Sequence, residues 1–378
     1  MLAAKVRAVE RLLGRAVDRV HECPCGDLGY RMKISLRVTR DKEKDGLPRF
    51  AWHEPKSKHL TFLDKSFPIA HERINKALPV VLDRIQKDPS IGHSLFETKL
   101  HTSLLGDLMI SLVYRVPLTE TVWSPAAEEL GEAVREATGA TRVNMIGRSR
   151  KQNIVLGNPY VLEKFPILDG DGVSHDFWYR QSAEEFSQPN GLMNNIMLQW
   201  AADATRLPAN DRPVENDLLE LYCGNGNFTS VLSKFNYEYT LASEIGRVGV
   251  KDAIWSLAKN KSHQAKVVRM SSHEMCQAFF NERQFQRLRE VDLDDYLFRT
   301  IFVDPPRQGL DVGSVRILST HQGQIIYVSC NPVTMKRDIE AIRELSPFKM
   351  EIKELVCFDQ FPNTDHLELG AVIQMTPP

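Results

Sequence analysis

The sequence predicts an α/β protein with two domains, an N-terminal α+β domain and a C-terminal domain built on a doubly wound, mostly parallel sheet. Two patterns favour this fold class. From residue 217 onward, strand-like apolar runs alternate with helix-like segments, as in sheets whose strands are joined by right-handed crossovers. Before residue 186, strand-like pairs and separate helices follow one another without that alternation. We therefore predict domains over residues 1–185 and 186–378.

The amino-acid composition is that of an ordinary globular protein. Of 378 residues, 42% are hydrophobic, and 48 Lys or Arg stand against 49 Asp or Glu, which excludes a collagen-like, low-complexity or largely disordered chain. The sequence has no charge-free apolar run near 18 residues, so we expect no membrane association. Six irregularly spaced cysteines favour a reducing compartment, and we expect a cytoplasmic protein.

Positive charge is concentrated toward the N-terminal end of the sequence. Residues 1–60 contain 14 Lys or Arg and 8 Asp or Glu, whereas residues 161–378 contain 22 and 30. This asymmetry is compatible with a polyanion binding to the first domain, although a solvated basic face explains it as well.

The first 20 residues have the pattern of an amphipathic helix. Apolar side chains fall near one helical face, namely Val6, Val9, Leu12, Leu13 and Val17. The segment is also Arg-rich enough for a transit peptide, but Glu10 and Asp18 interrupt the positive charge and favour the helix.

The remaining elements of the first domain are predicted from periodicity and turn residues. They are a β-meander over 30–63, a helix over 69–87 despite Pro79, strands over 100–116 around a turn at Gly106 and Asp107, a helix beginning at Ser124 and Pro125, and a strand pair over 142–157. A helix over 188–204 then opens the second domain.

A glycine turn follows the first strand of the alternating region. Gly224 and Gly226 allow the backbone to turn tightly and to approach a ligand, and Glu244 ends the next strand, where a partner for ribose hydroxyls would lie. The third glycine of a dinucleotide fingerprint is missing, which favours a nucleoside-like cofactor without pyrophosphate, such as S-adenosylmethionine. An ordinary tight turn between strand and helix remains the alternative.

A second strand end carries an acid and a stiff turn. Asp304 follows the apolar run TIFV, and the adjacent Pro305 and Pro306 would form a rigid wall against which a planar base could lie. Arg307 beside them could hold a phosphate or a base, or pair with an acid.

The third strand end places a cysteine at the same edge of the sheet. Cys330 follows QIIYV and precedes Asn331 and Pro332, so the chain turns there and the thiol can face the cleft. A buried structural thiol is the alternative, and Cys223 is a weaker competitor for a nucleophilic role. Cys23 and Cys25 have no second pair nearby, so we expect no metal site.

The segment FDQFPNTDHLELG, residues 358–370, is polar and aromatic where a core strand would be apolar. His366 and Glu368 would share one face of any extended segment. Glu368 becomes a candidate base when it is considered together with Cys330.

These motifs resemble the tRNA (uracil-5-)-methyltransferase family of class I S-adenosylmethionine-dependent enzymes. The segments that carry the resemblance are SQPN at 187–190, LLELYCGNGNF at 218–228, SEI at 243–245, IFVDPPR at 301–307, SCNP at 329–332 and FDQFPNTDHLELG at 358–370, with looser matches in RMKISLRV at 31–38, SFP at 66–68 and SLVYR at 111–115. The resemblance implies a Rossmann-like methyltransferase domain preceded by an α+β RNA-binding domain.

The resemblance also implies roles for individual residues. It implies that S-adenosyl-L-methionine binds at Gln188, Tyr222, Asn227, Glu244 and Asp304. It further implies that Cys330 is the nucleophile that adds to carbon 6 of uracil and that Glu368 is the base that removes the proton from carbon 5 after methylation. The expected product is 5-methyluridine at uridine 54 of the tRNA T loop.

RNA recognition is expected in the first domain and beside the catalytic cleft. By position in the family, Arg37, Phe96 and Arg307 are candidate RNA contacts, and the target base is expected to flip out of its stack. Arg115 and Ser35 stand where the family pattern has a histidine and an acid. We expect tRNA, through its T arm, as the partner, with other T-arm-like RNA as a further substrate, and a monomeric enzyme.

Two other functions are compatible with the same motifs. A ribosomal RNA uracil-5 methyltransferase would usually carry four cysteines for an iron–sulfur cluster, which this sequence lacks. An enzyme acting on cytosine would be expected to place its cysteines differently. An RNA-binding chaperone that folds tRNA, with methylation incidental or lost, is the alternative from a different class.

Overall fold

The structure is a computed structural model that describes residues 1–40, 46–53, 60–63, 66–206 and 216–378. The chain begins with helix α1 (Leu2–Leu13) and a short strand β1 (Arg19–His21). Helix α1 ends at Gly14, whose φ of 65° is the left-handed conformation that glycine adopts without strain. The predicted amphipathic helix is therefore confirmed, but it is shorter than the 20 residues expected.

The next elements form a mixed sheet with helices on one face. In the described residues the strand order is β4-β3-β2-β5-β6-β7-β8, and a buried core lies between this sheet and helices α2 and α4. The bounds are β2 (Lys33–Arg40), β3 (Pro48–His53), β4 (Leu60–Phe62), α2 (Glu72–Lys87), α3 (Pro89–Gly92), β5 (Leu95–Thr102), β6 (Asp107–Tyr114), α4 (Glu120–Thr138), β7 (Arg142–Ser149) and β8 (Gln152–Leu156).

Most of the predicted elements of this part are present. The meander is β2, β3 and β4 at one edge of the sheet, the turn at Gly106 and Asp107 joins β5 to β6, and the pair over 142–157 is β7 and β8. Residues 41–45 and 54–59 of the predicted meander lie outside the described residues.

Helix α4 begins earlier than the sequence predicts. Its first residue is Glu120, so Pro125 lies inside the helix and not at its start. The early start is explained by Trp123, which is buried and donates an indole hydrogen bond to the Tyr114 hydroxyl at 2.8 Å. Packing of this side chain stabilises a helical turn that precedes the proline.

A hairpin joins the two halves of the chain. Strands β9 (Tyr160–Leu168) and β10 (Ser174–Ser182) pair antiparallel and were not predicted from the sequence. Val161 packs against the first sheet through Met109 and Ile146, whereas Phe165 and Phe177 belong to a core of the second half. The hairpin therefore connects both hydrophobic cores.

The second half is the predicted doubly wound sheet. Its strand order in the described residues is β1-β16-β17-β15-β14-β11-β12-β13, with parallel pairing from β15 through β13 and antiparallel pairing of β17 with β15 and β16. The bounds are α5 (Gly191–Ala204), β11 (Asp217–Leu221), α6 (Asn227–Phe235), β12 (Thr240–Glu244), α7 (Arg247–Asn260), β13 (Ala265–Arg269), α8 (Ser272–Phe279), β14 (Phe298–Val303), α9 (Val312–Thr320), β15 (Gly323–Ser329), α10 (Pro332–Leu345), β16 (Lys349–Phe358) and β17 (Glu368–Thr376).

Helices cover both faces of this sheet. Alternate residues of one strand point to opposite faces, so Ile301 and Val303 pack toward α8, α9 and α10, whereas Phe302 packs toward α5 and α6. Both faces of the central strands are buried, which explains why their sequences are continuously apolar.

The first residues of the chain join this second sheet. Strand β1 pairs in parallel with β16, with His21 beside Phe358, and α1 contacts α10. The division into domains at residues 185 and 186 stays a prediction, but the hydrogen-bonded sheet includes residues that this division assigns to the N-terminal domain. Pairing with a strand more than 300 residues away leaves no local signal in the sequence.

Candidate active site

The predicted site residues converge at the carboxyl edge of the parallel strands. Tyr222 directly follows β11, Glu244 ends β12, Asp304 follows β14 and Cys330 follows β15. Since neighbouring parallel strands end at the same edge of a sheet, these four residues lie along one edge, where a ligand cleft of such a sheet is expected. Gln188 lies on the segment that leads into α5.

The glycine turn after β11 leaves space for a ligand. Gly224 has φ 56°, and a Cβ added there would meet no atom within 4 Å, so its backbone faces an open region. Gly226 has a different role, because a Cβ added there would lie 3.1 Å from Ala253 of α7. One glycine therefore leaves open space beside the backbone, and the other allows a neighbouring helix to approach.

Glu244 is tied to this turn by a hydrogen bond. Its carboxylate accepts the backbone N–H of Gly224 at 3.0 Å. Tyr222 has φ 62°, and its hydroxyl lies 2.7 Å from that of Ser314. These contacts fix the turn and the acid relative to each other, as a preformed binding site requires.

Two further predicted cofactor residues are held by amide pairs. The side chain of Asn227 exchanges two hydrogen bonds with Asn194 of α5, each at 2.9 Å. The carbonyl oxygen of the Gln188 side chain accepts a hydrogen bond from Gln360 at 2.7 Å. Gln360 is fully buried, and its own side-chain oxygen has no partner among the described residues.

Two acids near this edge of the sheet have raised pKa values. Burial raises the pKa of Asp304 to about 7 and that of Glu220 to about 8, and one oxygen of Glu220 has no hydrogen-bond partner among the described residues. A ligand with a sulfonium cation and ribose hydroxyls fits such acids, and the open backbone at Gly224 fits a close approach. Sequence reasoning missed Glu220, although a charge inside the apolar run LLEL was the available signal.

Cys330 and Glu368 come together through an antiparallel strand pair. The register of β15 and β17 pairs Ser329 with Leu369. Cys330 directly follows Ser329, and Glu368 directly precedes Leu369. Residues at opposing positions of antiparallel strands extend to the same face of the sheet. Glu368 is 4% exposed, so it is not the solvated acid that its place near the chain end suggests.

The protonation states of this pair depend on burial and on each other. Burial raises the pKa of Glu368 to about 8, with the Asp304 carboxylate adding to the effect. Burial raises the pKa of Cys330 to about 11, with the carboxylates of Glu368 and Asp304 adding to the effect. Arg307 opposes both shifts, because its positive charge stabilises the thiolate and the carboxylate.

The loops that carry Asp304 and Cys330 are connected by hydrogen bonds. The side-chain amide of Asn331 donates to the backbone oxygen of Arg307 at 3.1 Å, and its oxygen caps α10 by accepting the N–H of Val333. Asn331 therefore fixes the turn after Cys330 against the segment after Asp304.

A cavity of about 500 Å³ opens at the Cys330 thiol. Its walls come from α1, from Arg307, from the start of α10 and from the segment before β17, and the lining residues are Lys5, Ala8, Val9, Leu12, Arg307, Cys330, Asn331, Pro332, Val333, Asp365, His366 and Leu367. His366 lies in a loop and not in the extended segment that would place it beside Glu368. The contribution of α1 was not predicted.

Burial distinguishes Cys223 from Cys330 as a candidate nucleophile. Cys223 is 4% exposed and is part of the protein interior, whereas Cys330 is half-buried and lines the cavity. Cys23 and Cys25 have sulfur atoms 3.5 Å apart. Among the described residues, His, Cys, Asp and Glu side chains form no group of three or more that could hold a metal ion.

The predicted RNA contacts fall in two places. The guanidinium carbons of Arg37 and Arg115 lie 5.9 and 5.5 Å from the ring centroid of Phe96 on the first sheet, whereas Arg307 lies at the catalytic cavity. Arg115, which departs from the family pattern, therefore belongs to the same cluster as Arg37 and Phe96. Ser35, the other departure, donates a hydrogen bond to Glu97 at 2.6 Å, so an acid is still present next to its position.

No helix among the described residues is long and apolar enough to cross a membrane.

Comparisons with known proteins identify the family of the chain. The sequence profile of the family described as tRNA (Uracil-5-)-methyltransferase matches residues 3–376. Proteins named tRNA/tmRNA (uracil-C(5))-methyltransferase are similar along nearly the whole chain. One from Pseudomonas putida strain F1 is 38% identical over 98% of this chain and 96% of its own, and one from Aromatoleum aromaticum is 39% identical over 93% and 88%.

A solved structure supports the fold. The Pyrococcus abyssi tRNA (uracil-54, C5)-methyltransferase, crystallised with S-adenosyl-L-homocysteine, superposes with a TM-score of 0.69 at 20% identity, covering 98% of this chain and 82% of that one. The chain belongs to the tRNA (uracil-5-)-methyltransferase family and is an S-adenosylmethionine-dependent enzyme.

Proposed function

We propose that the enzyme methylates carbon 5 of uridine 54 in the tRNA T loop, and that it does so through a covalent bond between Cys330 and the base. The observation that carries this proposal is the strand register that brings Glu368 next to Cys330, a residue that lines the cavity. A nucleophile and a base close to each other are the two groups that substitution at carbon 5 of uracil requires.

The reaction proceeds in steps that these side chains can perform. The Cys330 thiolate adds to carbon 6, and the electron pair of the 5,6 double bond moves into the ring, which makes carbon 5 nucleophilic. Bound S-adenosylmethionine supplies the electrophilic methyl group. Glu368 then removes the remaining proton from carbon 5, the double bond re-forms, and the bond between sulfur and carbon 6 breaks to return the thiolate.

Arg307 has a supporting role at this centre. It is exposed on the cavity side and lowers the pKa values of both Cys330 and Glu368 against the effect of burial. Both groups must ionise at some point in the cycle, so a nearby cation favours the reactive forms. The same guanidinium can contact the RNA backbone when the target base has flipped into the cavity.

The cofactor is assigned to the cleft on the other side of Asp304. Gln188, Tyr222, Asn227, Glu244 and Asp304 are proposed to hold it, with Glu244 available to ribose hydroxyls and Asp304 to the cationic end. Glu220 adds a further buried acid beside Asp304, because their charges influence each other.

The RNA is proposed to lie across the first sheet before entering the cavity. Phe96, with two guanidinium groups within 6 Å of its ring centroid, offers an aromatic ring beside positive charge, which suits an unstacked base and its phosphates. Because the similar proteins are named for tRNA and tmRNA, a T-arm-like segment of tmRNA is a second proposed substrate. A separate tRNA-folding role, a monomeric state and a cytoplasmic location remain predictions.

The direct test is methyl transfer from labelled S-adenosylmethionine to unmodified tRNA, with a tRNA carrying cytidine at position 54 as the control. We expect label on the first RNA and none on the second. Equal labelling of both RNAs would overturn the assignment of the target position, and no labelling of either by a protein that binds the cofactor would overturn tRNA as the substrate.

A further inference from the structure

We propose that Lys5, on the N-terminal helix, is a positioning residue for Glu368 and that it is needed for release of the methylated product. The inference rests on the proposed function, because it concerns the step in which Glu368 removes the proton from carbon 5. Lys5 reaches the loop of residues 359–367, here called the 359–367 loop, which connects β16 to β17 and ends directly before Glu368.

The Lys5 ammonium group is enclosed by acceptors from this loop. Within the described residues it donates to the Asp359 carboxylate at 2.7 Å, to the backbone oxygen of Phe361 at 2.9 Å and to that of His366 at 3.1 Å. Its side chain is 6% exposed and that of Asp359 is 10% exposed. An ammonium has three hydrogen atoms to donate, so this set satisfies it in a place where water has little access.

The acceptors lie at both ends of the 359–367 loop. Asp359 follows Phe358, the last residue of β16, and His366 lies two residues before Glu368. Phe358 and Glu368 form the terminal pair of the β16 and β17 ladder. Lys5 therefore closes the loop immediately next to the pair that contains the proposed base, where a ladder would otherwise fray first.

The position of Lys5 is fixed independently of this loop. Val9, one helical turn further on, is buried in the core beneath α1, and Glu10 accepts the backbone N–H of Val17 at 3.1 Å. The helix is thus a rigid support, and the 359–367 loop is the part that depends on the contact. The same helix lines the cavity that contains Cys330.

Loss of the ammonium would leave the buried Asp359 carboxylate and two backbone oxygens without their donor. The loop would have to move in order to hydrate these groups, and Glu368 is one of the two strand residues that flank the loop and would shift with it. Cys330 and Arg307 are held by β15 and by Asn331, so they would stay in place. The expected defect is therefore in proton removal, while attack on the base and methyl transfer continue.

Two labels separate these steps. A methyl label from the cofactor reports transfer to RNA, and tritium at carbon 5 of the uracil is released to water when the proton is removed. For Lys5→Met we expect methyl transfer in a single turnover within threefold of the parent, tritium release at least tenfold slower, and accumulation of protein bonded to RNA under denaturing conditions. Arg7→Met, which changes an exposed basic residue on the same helix, is expected to match the parent.

Conservative changes keep the test valid if Lys5→Met does not fold. Asp359→Asn keeps the shape of the partner but removes its charge, and we expect the same excess of methyl transfer over tritium release. Lys5→Arg, which keeps the charge, is expected to restore at least part of the rate of tritium release.

The outcomes distinguish this inference from the proposed function. Equal losses of methyl transfer and tritium release in folded Lys5→Met, or rates equal to those of the parent, would overturn the role of Lys5. If Glu368→Gln itself forms no denaturation-resistant bond to RNA, the covalent mechanism fails regardless of what Lys5 does.

Discussion

Cys330 and Glu368 each lie one position beyond Ser329 and Leu369, the last pair of the ladder between β15 and β17, and the Glu368 carboxylate contributes to the raised pKa of the Cys330 thiol. Opposing residues of antiparallel strands have Cβ atoms about 4.5–5.5 Å apart, a separation at which two side chains can reach one base. A shift of the register by one residue would turn Glu368 to the opposite face of the sheet. The proposed mechanism therefore depends on the register of the antiparallel strand β17.

Cys330→Ala is expected to abolish methylation while tRNA binding remains. The thiolate is the proposed attacking group, so its loss should stop the reaction. The substitution removes one sulfur atom and leaves Phe96 and the basic residues beside it unchanged. We expect methyl transfer to fall by about 10³-fold or more, with the affinity for tRNA measured by filter binding within a few-fold of the parent. Cys25→Ala, which removes an exposed thiol, is the matched control. Turnover near the parent rate in Cys330→Ala would show that Cys330 is not the nucleophile.

Glu368→Gln is expected to trap the enzyme on its substrate. The amide cannot accept the carbon 5 proton, so the bond between Cys330 and the methylated base has no route to break. We expect a slowly migrating protein–RNA band under denaturing conditions, and no such band for Glu340→Gln, an exposed change on α10. Normal release of methylated tRNA by Glu368→Gln would mean that another group is the base.

The place of the predicted cofactor residues at one edge of the sheet could be predicted from sequence because each strand end is a local feature. An apolar run that leads into Gly224, Glu244 or Asp304 predicts a strand. The glycine or acid marks the edge of the sheet at which that strand ends. Parallel strands then bring these ends together without further information.

Other features depend on contacts between distant parts of the chain. Glu368 lies near Cys330 because β17 pairs antiparallel with β15, and no local sequence pattern predicts that pairing. Lys5 contacts Asp359, which lies 354 positions further along the sequence. A lysine on an amphipathic helix predicts a solvated side chain, and only the tertiary structure shows that this one is buried. The resemblance to a known family supplied the role of Glu368, and nothing comparable pointed to Lys5.

Activity is expected to rise with pH between about 6.5 and 8.5. Glu368 acts as a base only when ionised, and burial raises its pKa to about 8, so its active fraction grows across this range. The Cys330 thiol, with a pKa of about 11, also becomes more ionised as the pH increases. Ionisation of Glu368 and ionisation of Cys330 both increase activity, so both contribute to a rise with pH. The measurement is kcat/KM for tRNA as a function of pH.

Replacement of Arg307 is expected to move this profile to higher pH. The arginine lowers the pKa values of Cys330 and Glu368, so Arg307→Met should raise both and reduce kcat/KM most strongly near neutral pH. The gap to the parent should narrow as the pH increases. A loss that is uniform at every pH would instead indicate that Arg307 acts through RNA binding alone.

Phe96→Ala is expected to weaken RNA binding without changing the chemistry. The guanidinium carbons of Arg37 and Arg115 lie 5.9 and 5.5 Å from the ring centroid, so removal of the ring takes away a stacking surface and the contact with two cations at once. Stacking of one base on an aromatic side chain contributes about 1–3 kcal/mol, which corresponds to roughly a 5- to 150-fold rise in the Kd for tRNA. The Kd for S-adenosylmethionine and the single-turnover rate at saturating tRNA should stay within about twofold, because Cys330 and Glu368 lie on the other sheet. Tyr239→Ala, a change of an aromatic residue that is 50% exposed and directly precedes β12, is the control for loss of surface aromatic area. If Phe96→Ala binds tRNA as tightly as this control does, the RNA does not stack on the first sheet, and the basic residues around Phe96 form a solvated face.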